Sequence, residues 1–361
     1  MTSSELALFR AFPELRGRFP RYAAVSVPTP VTPLPVAGIP EGILFVKRDD
    51  RSCTHYGGNK PRKLEFLIGA ALARGARRLV TVGGLGTNHG LATTILARRA
   101  GLATTLVLLH QPVTDGVQRS LLLDAAYGAE LVYGANLLGT AAQLLRVMSG
   151  SAARGERPFL VPAGGSSTRA MPGFISAGLE LAEQVRKGAL PEPVEIYVPV
   201  GSGGTLAGLV AGCKLAGLSA RVVGVLVNDI LPPSPRRLAS AARAGVAYLR
   251  RAHPGIPEVT IRADDFDLVR DHLGPGYGAP TAEARDAVAA ASACGLTLET
   301  TYTGKCLAAI RARAQRGGLA RGPILFWNTY NGIEVADHAP AALDPDALPP
   351  RLRRFVTRDT G

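Results

Sequence analysis

Between residues 43 and 327 the chain alternates short apolar, β-branched runs with longer runs of helical character, and no feature narrows its possible folds more than this alternation. It predicts strands over 43–47, 79–82, 103–109, 159–161, 196–200, 222–227 and 324–327, most of them apolar on both faces. Such strands belong in parallel sheets covered by helices on both sides. The intervening runs predict helices, among them 61–73, 88–100, 116–127, 173–185 and 205–215. Several stop at a glycine (Gly75, Gly101, Gly128), the residue that most easily takes the left-handed conformation of a helix C-terminus. The expected class is α/β, with open, twisted, parallel-rich sheets flanked by helices. Before residue 43 the chain is irregular and broken by Pro28, Pro30, Pro33, Pro35 and Pro40, and it contains no fixed-period repeat or low-complexity tract.

A chain of 361 residues, 47% of them hydrophobic, can bury cores for two domains. Composition alone fixes no boundary, although the glycine- and serine-rich turn at 164–167 is a natural crossing point. Residues 1–18 lack an apolar stretch closed by a small-residue cleavage site, and no segment approaches the ~20 uninterrupted apolar residues of a membrane span. A cytoplasmic protein with no membrane partner is expected. Cys53, Cys213, Cys294 and Cys306 form no CxxC pair, which suits reduced thiols and suggests no metal site. The formal charge of +13 admits nucleic acid, acidic membranes or anionic small molecules as partners. Its arginines, however, are spread over amphipathic stretches such as 236–251 and the tail 351–354, with no RNA-binding aromatic motif or zinc finger between them. A solvated surface is expected there, with no nucleic-acid site.

Three turns carry chemistry. Val198-Pro199-Val200-Gly201-Ser202-Gly203-Gly204-Thr205 follows a strand and opens a helix. Its backbone N–H groups, the positive helix end and the hydroxyls of Ser202 and Thr205 make an anion site in outline. It lacks the lysine of a Walker A loop and matches GxGxxG only loosely, so a nucleotide phosphate, a cofactor phosphate and a purely structural turn all stay open. In Gly57-Gly58-Asn59-Lys60-Pro61-Arg62-Lys63-Leu64-Glu65, Lys60 precedes a proline suited to the first turn of a helix. An ammonium is disfavoured at a positive helix end and burial lowers its pKa further, which favours a nucleophilic, Schiff-base-forming amine. Alternatively Lys60, Arg62 and Lys63 merely solvate the start of an amphipathic helix. The third turn, Gly83-Gly84-Leu85-Gly86-Thr87-Asn88-His89-Gly90, again joins a strand to a helix. Thr87 or Asn88 can cap that helix, and His89 can be a hydrogen-bonded structural residue. Together the three turns stand at or beside the C-terminal ends of presumptive parallel strands, where open α/β sheets bind ligands.

On these residues the chain resembles the pyridoxal 5'-phosphate (PLP) dependent family of 1-aminocyclopropane-1-carboxylate (ACC) deaminases and D-cysteine desulfhydrases, of the tryptophan-synthase-β fold type (fold type II). The resemblance runs from about residue 19 to residue 332 and is sharpest over Lys47-Arg48-Asp49-Asp50 and the Lys60 segment. It implies a homodimer of two-domain chains, with 1–63 and 173–361 forming a larger PLP-binding domain and 64–172 a smaller, mobile one. It implies that Lys60 forms the Schiff base with PLP, that Asn88 bonds the cofactor's 3'-oxygen, and that Gly201, Ser202, Gly203, Gly204 and Thr205 hold its phosphate. Thr87, Asn88 and His89 would meet the substrate carboxylate. Tyr277 (in Gly274-Pro275-Gly276-Tyr277-Gly278) and Tyr302 (in Tyr302-Thr303-Gly304-Lys305) would face a small amino-acid substrate, although by residue type alone they could be packing groups with a wet hydroxyl.

Thr303 stands where the ACC deaminases of this resemblance carry an acidic residue toward the pyridine nitrogen and the desulfhydrases a threonine. A neutral hydroxyl is expected not to hold that nitrogen protonated, which weakens the ring as an electron sink and points to rapid loss of a β-leaving group. His89 likewise resembles the desulfhydrase branch. The expected function is thus a PLP-dependent lyase performing α,β-elimination on a small amino acid to a 2-oxo acid and ammonia, with Lys60 as base for the α-proton. Departures are Gly86-Thr87-Asn88 for Gln-Ser-Asn, Glu299-Thr300-Thr301 for Asp-Pro-Val, and Trp327-Asn328-Thr329-Tyr330-Asn331-Gly332 for His-Thr-Gly-Gly, the last placing bulk near the cofactor. The alternatives are ACC-type deamination, β-replacement or racemisation on the same cofactor, a non-catalytic binder of a phosphate ligand, and a nucleotide-dependent oxidoreductase using the turn at 201–208. Against the oxidoreductase weighs the absence of a convincing acidic ribose partner after the following strand.

Overall fold

The computed structural model describes residues 5–356, which divide into two compact units. One unit takes the chain up to Phe19, Val25–Phe66 and Ser166–Ile333; the other takes Pro20–Ala24, Leu67–Gly165 and the chain from Glu334. Among the described residues the strands are β1 (Val31–Pro33), β2 (Leu44–Lys47), β3 (Arg78–Gly84), β4 (Ala103–Leu109), β5 (Glu130–Ala135), β6 (Pro158–Val161), β7 (Glu195–Val200), β8 (Arg221–Leu226), β9 (Asp267–Val269) and β10 (Ile324–Trp327).

The first unit is built on a six-stranded sheet in the order β1-β2-β10-β7-β8-β9, parallel throughout except for the antiparallel β1–β2 pair. Its strand β7 is buried along its whole length because both faces are covered. Ile196, Val198 and Val200 point to one side, into a core with Phe174, Ile175, Leu206 and Leu209 from the helices Met171–Arg186 and Gly204–Ala216. Tyr197 points to the other, where Ala287, Leu307 and Ile310 come from the helices Ala282–Ser292 and Thr303–Gln315. The first two helices approach closely through small residues: a Cβ on Gly178 would lie 2.7 Å from the Cys213 nitrogen, and one on Gly212 would run into the Ile175 carbonyl. Continuous apolar sequence in β7 is thus the requirement of a central parallel strand.

The second unit carries a four-stranded, fully parallel sheet in the order β5-β4-β3-β6. Leu85, Leu106, Leu108, Val117, Leu121 and Leu131 form a core here, and Leu348 and Leu352 complete it. Tyr127 also donates its hydroxyl hydrogen to the Val335 carbonyl at 2.7 Å. The C-terminal segment therefore packs with this unit, which corrects the assignment of everything from 173 onward to the larger one. Two leucines beyond residue 347 find their burial on the smaller sheet, a long-range choice no local pattern announces. The chain also crosses between units at Phe66/Leu67 and Gly165/Ser166. No helix among the described residues is long and apolar enough to cross a membrane.

Candidate active site

In the first unit the end of β7 turns through Gly203 into the helix Gly204–Ala216. Gly203 has φ +85°, and a side chain there would also strike Leu238, so only glycine makes the turn without strain. The opening N–H groups of a helix have no intrahelical acceptor and suit an anion. Polar side chains gather at the same place. Ser202 Oγ lies 2.8 Å from Ser166 Oγ, Lys63 Nζ donates to Ser166 Oγ at 3.3 Å, and Asn59 Nδ2 donates to Thr205 Oγ1 at 2.9 Å. A Cβ on Gly204 would sit 3.3 Å from Lys63 Nζ, which puts that ammonium against the turn itself. Burial, and then the charge of Lys60, push Lys63 well below the ordinary lysine range. An anion held by this turn would ease both effects.

Lys60 opens the helix Lys60–Ala73, and the residues around it are fixed by buried ions. Arg62 grips Asp49 through Nε (2.9 Å) and Nη2 (2.8 Å) and reaches Glu180 through Nη1 (3.0 Å). Lys47 Nζ donates to the other Glu180 oxygen at 2.6 Å. Two cations face two carboxylates, so a cluster that would be costly if unbalanced is neutral. Burial alone would raise the Glu180 carboxyl, but Arg62 and Lys47 outweigh it and hold it at about 2. Arg62 and Lys63 are thus buried and do not solvate the helix start.

Trp327 belongs to this cluster: it is fully buried, its indole N–H donates to Asp49 Oδ2 at 2.7 Å, and its ring packs near Phe174. The bulk expected from it beside a cofactor goes into the core, a correction set by the side of β10 on which it falls. The residues after it hold the loop before Lys60. Asn59 donates its N–H to the Thr329 carbonyl (3.1 Å) and Gly57 to Asn331 Oδ1 (2.6 Å). Gly58, at φ +85°, passes so near that a Cβ would lie 2.5 Å from the Thr329 oxygen.

Lys60 itself is half-buried, donates from Nζ to Asn59 Oδ1 at 2.8 Å, and lies 6.0 Å from the centre of the Tyr302 ring. Burial pushes its ammonium down to about 8, with Glu299 opposing the shift. At pH 7 that change from 10.5 gives about 300-fold more neutral amine. Tyr302 and Tyr277 meet hydroxyl to hydroxyl at 2.8 Å. Burial pushes both phenols up, Tyr302 well above the usual range, so each is a proton donor and neither is a resting base. The loop bearing Tyr277 is pinned by Asp229 Oδ1, which accepts the Tyr277 N–H at 3.0 Å, and by Lys305 Nζ, which donates to the Leu273 carbonyl at 2.6 Å. Thr303 is buried at the start of its helix, with Oγ1 beside Glu299.

Thr87, Asn88 and His89 stand in the second unit, at the end of β3. Thr87 caps the helix Asn88–Arg99 by accepting the Gly90 N–H at 3.2 Å. The buried His89 ring places Nε2 3.1 Å from Thr81 Oγ1. Since that hydroxyl donates to the Val161 carbonyl, Nε2 carries the proton. What this segment presents to an anion is the start of a helix. The first unit thus gathers Lys60, Gly201, Ser202, Gly203, Gly204, Thr205, Tyr277, Tyr302 and Thr303, while the other three cluster among themselves. Asn59, Lys63, Ser166, Glu299 and Lys305 join the candidate residues through their hydrogen bonds; for Lys63 the sequence carries a signal, its place three residues after Lys60 on the same helix face.

A model of the pyridoxal-phosphate dependent enzyme family matches residues 25–329. The D-cysteine desulfhydrase of Klebsiella pneumoniae (strain 342) is 36% identical over 322 residues, 86% of this chain and 94% of that protein. The crystal structure of an ACC deaminase homologue is similar with a TM-score of 0.75 at 29% identity, covering 91% of this chain and 96% of the other. The processed form of threonine deaminase isoform 2 from Solanum lycopersicum shares the fold, with a TM-score of 0.56 at 15% identity, over 92% of this chain and 86% of that one.

Proposed function

The chain belongs to the pyridoxal-phosphate dependent enzymes, and from that premise we propose that it is a lyase eliminating a β-substituent from a small amino acid, as a D-cysteine desulfhydrase does. In the net reaction X–CH2–CH(NH3+)–COO− and water give HX, a 2-oxo acid and ammonium. The residues fit the cofactor: the turn from Gly201 to Thr205, with Ser166 and Lys63, suits its phosphate, and the Lys60 amine suits its aldehyde. When bound, PLP supplies the electron sink for the pair released as the substrate Cα–H bond breaks.

The chain's own groups then divide the work. Lys60 would hold the cofactor, and its Nζ would take the Cα proton. The pair of electrons leaves Cβ with X, and the Tyr302–Tyr277 hydroxyl pair gives X its proton. A buried phenolate is strongly disfavoured, so the tyrosine recovers a proton from Lys60, whose Nζ is 6.0 Å from the Tyr302 ring. Thr303, at the start of its helix in the same unit, would lie beside the cofactor ring.

The observation that carries the proposal is Lys60: a lysine held at about 8 at a helix start, hydrogen-bonded to the asparagine that also bonds the anion turn. The desulfhydrase similarity supports elimination as the outcome. We extend the proposal to a cytoplasmic homodimer; the free thiols of Cys53, Cys213, Cys294 and Cys306 support a reducing compartment. The test is to incubate the holoenzyme with D- and L-cysteine and other β-substituted amino acids, with and without added thiol, and to quantify products. Equimolar 2-oxo acid, ammonia and HX are expected. A thioether formed from the added thiol would mean β-replacement, and PLP binding without any turnover would mean a binding protein.

A further inference from the structure

The Thr303 hydroxyl is not held alone. Its Oγ1 accepts the Glu299 N–H at 3.1 Å, and its hydrogen faces Glu299 Oε1 at 3.2 Å and the Glu299 carbonyl at 3.4 Å. The carboxylate is fixed in turn, with Oε1 accepting the N–H of Tyr302 (2.9 Å) and of Thr303 (2.8 Å) and Oε2 that of Thr301 (2.7 Å). A hydroxyl has one hydrogen and two lone pairs. With the hydrogen and one lone pair committed to Glu299, Thr303 can only accept a hydrogen bond from a third group.

We infer that Glu299 is a positioning residue that makes Thr303 a hydrogen-bond acceptor, so that a pyridine nitrogen set against it is held in its protonated, N–H form. This inference rests on the proposal that Thr303 lies against the PLP ring. It reverses the expectation that a threonine here leaves that nitrogen unprotonated. To donate to an unprotonated nitrogen, Thr303 would have to withdraw its hydrogen from a carboxylate, and hydrogen bonds to charged acceptors are the stronger kind. A protonated ring is the better electron sink, so a carboxylate one hydrogen bond removed does part of what an acidic residue in direct contact would do. Glu299 also acts on the other titratable groups of the site: its charge opposes the downward shifts of Lys60 and Lys305 and adds to the upward shifts of Tyr277 and Tyr302.

The test uses the holoenzyme loaded with PLP labelled with nitrogen-15 in its ring, read by NMR. The wild-type resonance at pH 7 is expected in the range of a protonated pyridine. Glu299→Gln and Thr303→Val should each lower the nitrogen's titration midpoint by about one unit or more, a tenfold loss of the protonated form. The double variant should add little, because the two residues act through one hydrogen bond. Glu299→Asp and Thr303→Ser, which keep the groups, should stay near wild type. Thr303→Val leaves the Glu299 carboxylate on its backbone donors, so it reports even if Glu299→Gln fails to fold. An unprotonated wild-type nitrogen, or one that neither Glu299→Gln nor Thr303→Val moves, would overturn the inference while leaving the cofactor assignment intact. A wild-type protein that takes up no label would sink the cofactor assignment, and the inference with it.

Discussion

The reactivity proposed for Lys60 comes from its surroundings. Burial removes water from its ammonium and outweighs the opposing charge of Glu299, so a side chain that titrates at 10.5 in water is brought to about 8. Uptake of PLP by the apoprotein needs the neutral amine, so its rate should climb with pH and level off above about 8. A rate still climbing tenfold per unit at pH 10 would show an ordinary lysine. The phenols have the opposite assignment. Tyr302→Phe should leave the cofactor bound but cut kcat by about 100-fold or more, the usual weight of a positioned proton donor. At this scale Lys60, Tyr277, Tyr302 and Thr303 are legible as candidates because each sits in a recognisable local motif. Asn59 could not be read as a link between lysine and anion turn, because its partner Thr205 is 146 residues away. Glu299 looked like a departure from a family pattern, and only its four hydrogen bonds to residues 301–303 show what it holds.

Elements were legible where burial was symmetrical. Strands such as β4, β7 and β10 lie inside their sheets, need apolar side chains on both faces, and so announce themselves. The strands not foreseen, β1, β5 and β9, are all at sheet edges, two of them only three residues long, with partly exposed residues that mimic loop sequence. The helix pair Met171–Arg186 and Gly204–Ala216 gives an element-scale test. Gly212 allows the second helix to approach the Ile175 carbonyl, and there is no room for a side chain. Gly212→Val should lose about 1–3 kcal/mol by urea unfolding, as overpacking a tight core does. An unchanged midpoint would mean that the helices are not in contact along this seam.

For the molecule as a whole, the buried ions of the first unit tie strand β2, the helix of Lys60 and the helix of Glu180 into one body. Their pH dependence has a definite sign. Glu180 titrates at 4.5 when unfolded and at about 2 when folded, so the unfolded chain binds the proton more tightly. The stabilisation is complete above about 4.5 and is lost as the pH falls toward about 2; denaturant midpoints across that window should fall for wild type. Arg62→Met would leave Asp49 without its cation and Glu180 with Lys47 alone, one buried negative charge uncompensated, and should cost about 3–5 kcal/mol. The allocation of the C-terminal residues to the smaller unit was illegible from sequence, since Leu348 and Leu352 meet partners more than 200 positions earlier in the chain, and only the folded sheet brings them together.

The most direct measurement is to reduce the PLP-loaded protein with borohydride, digest it, and locate the pyridoxyl group by mass spectrometry. One group per chain, on Lys60, is predicted. Label on Lys63 or another lysine, or none at all, would contradict the assignment of Lys60 as the residue that carries the cofactor.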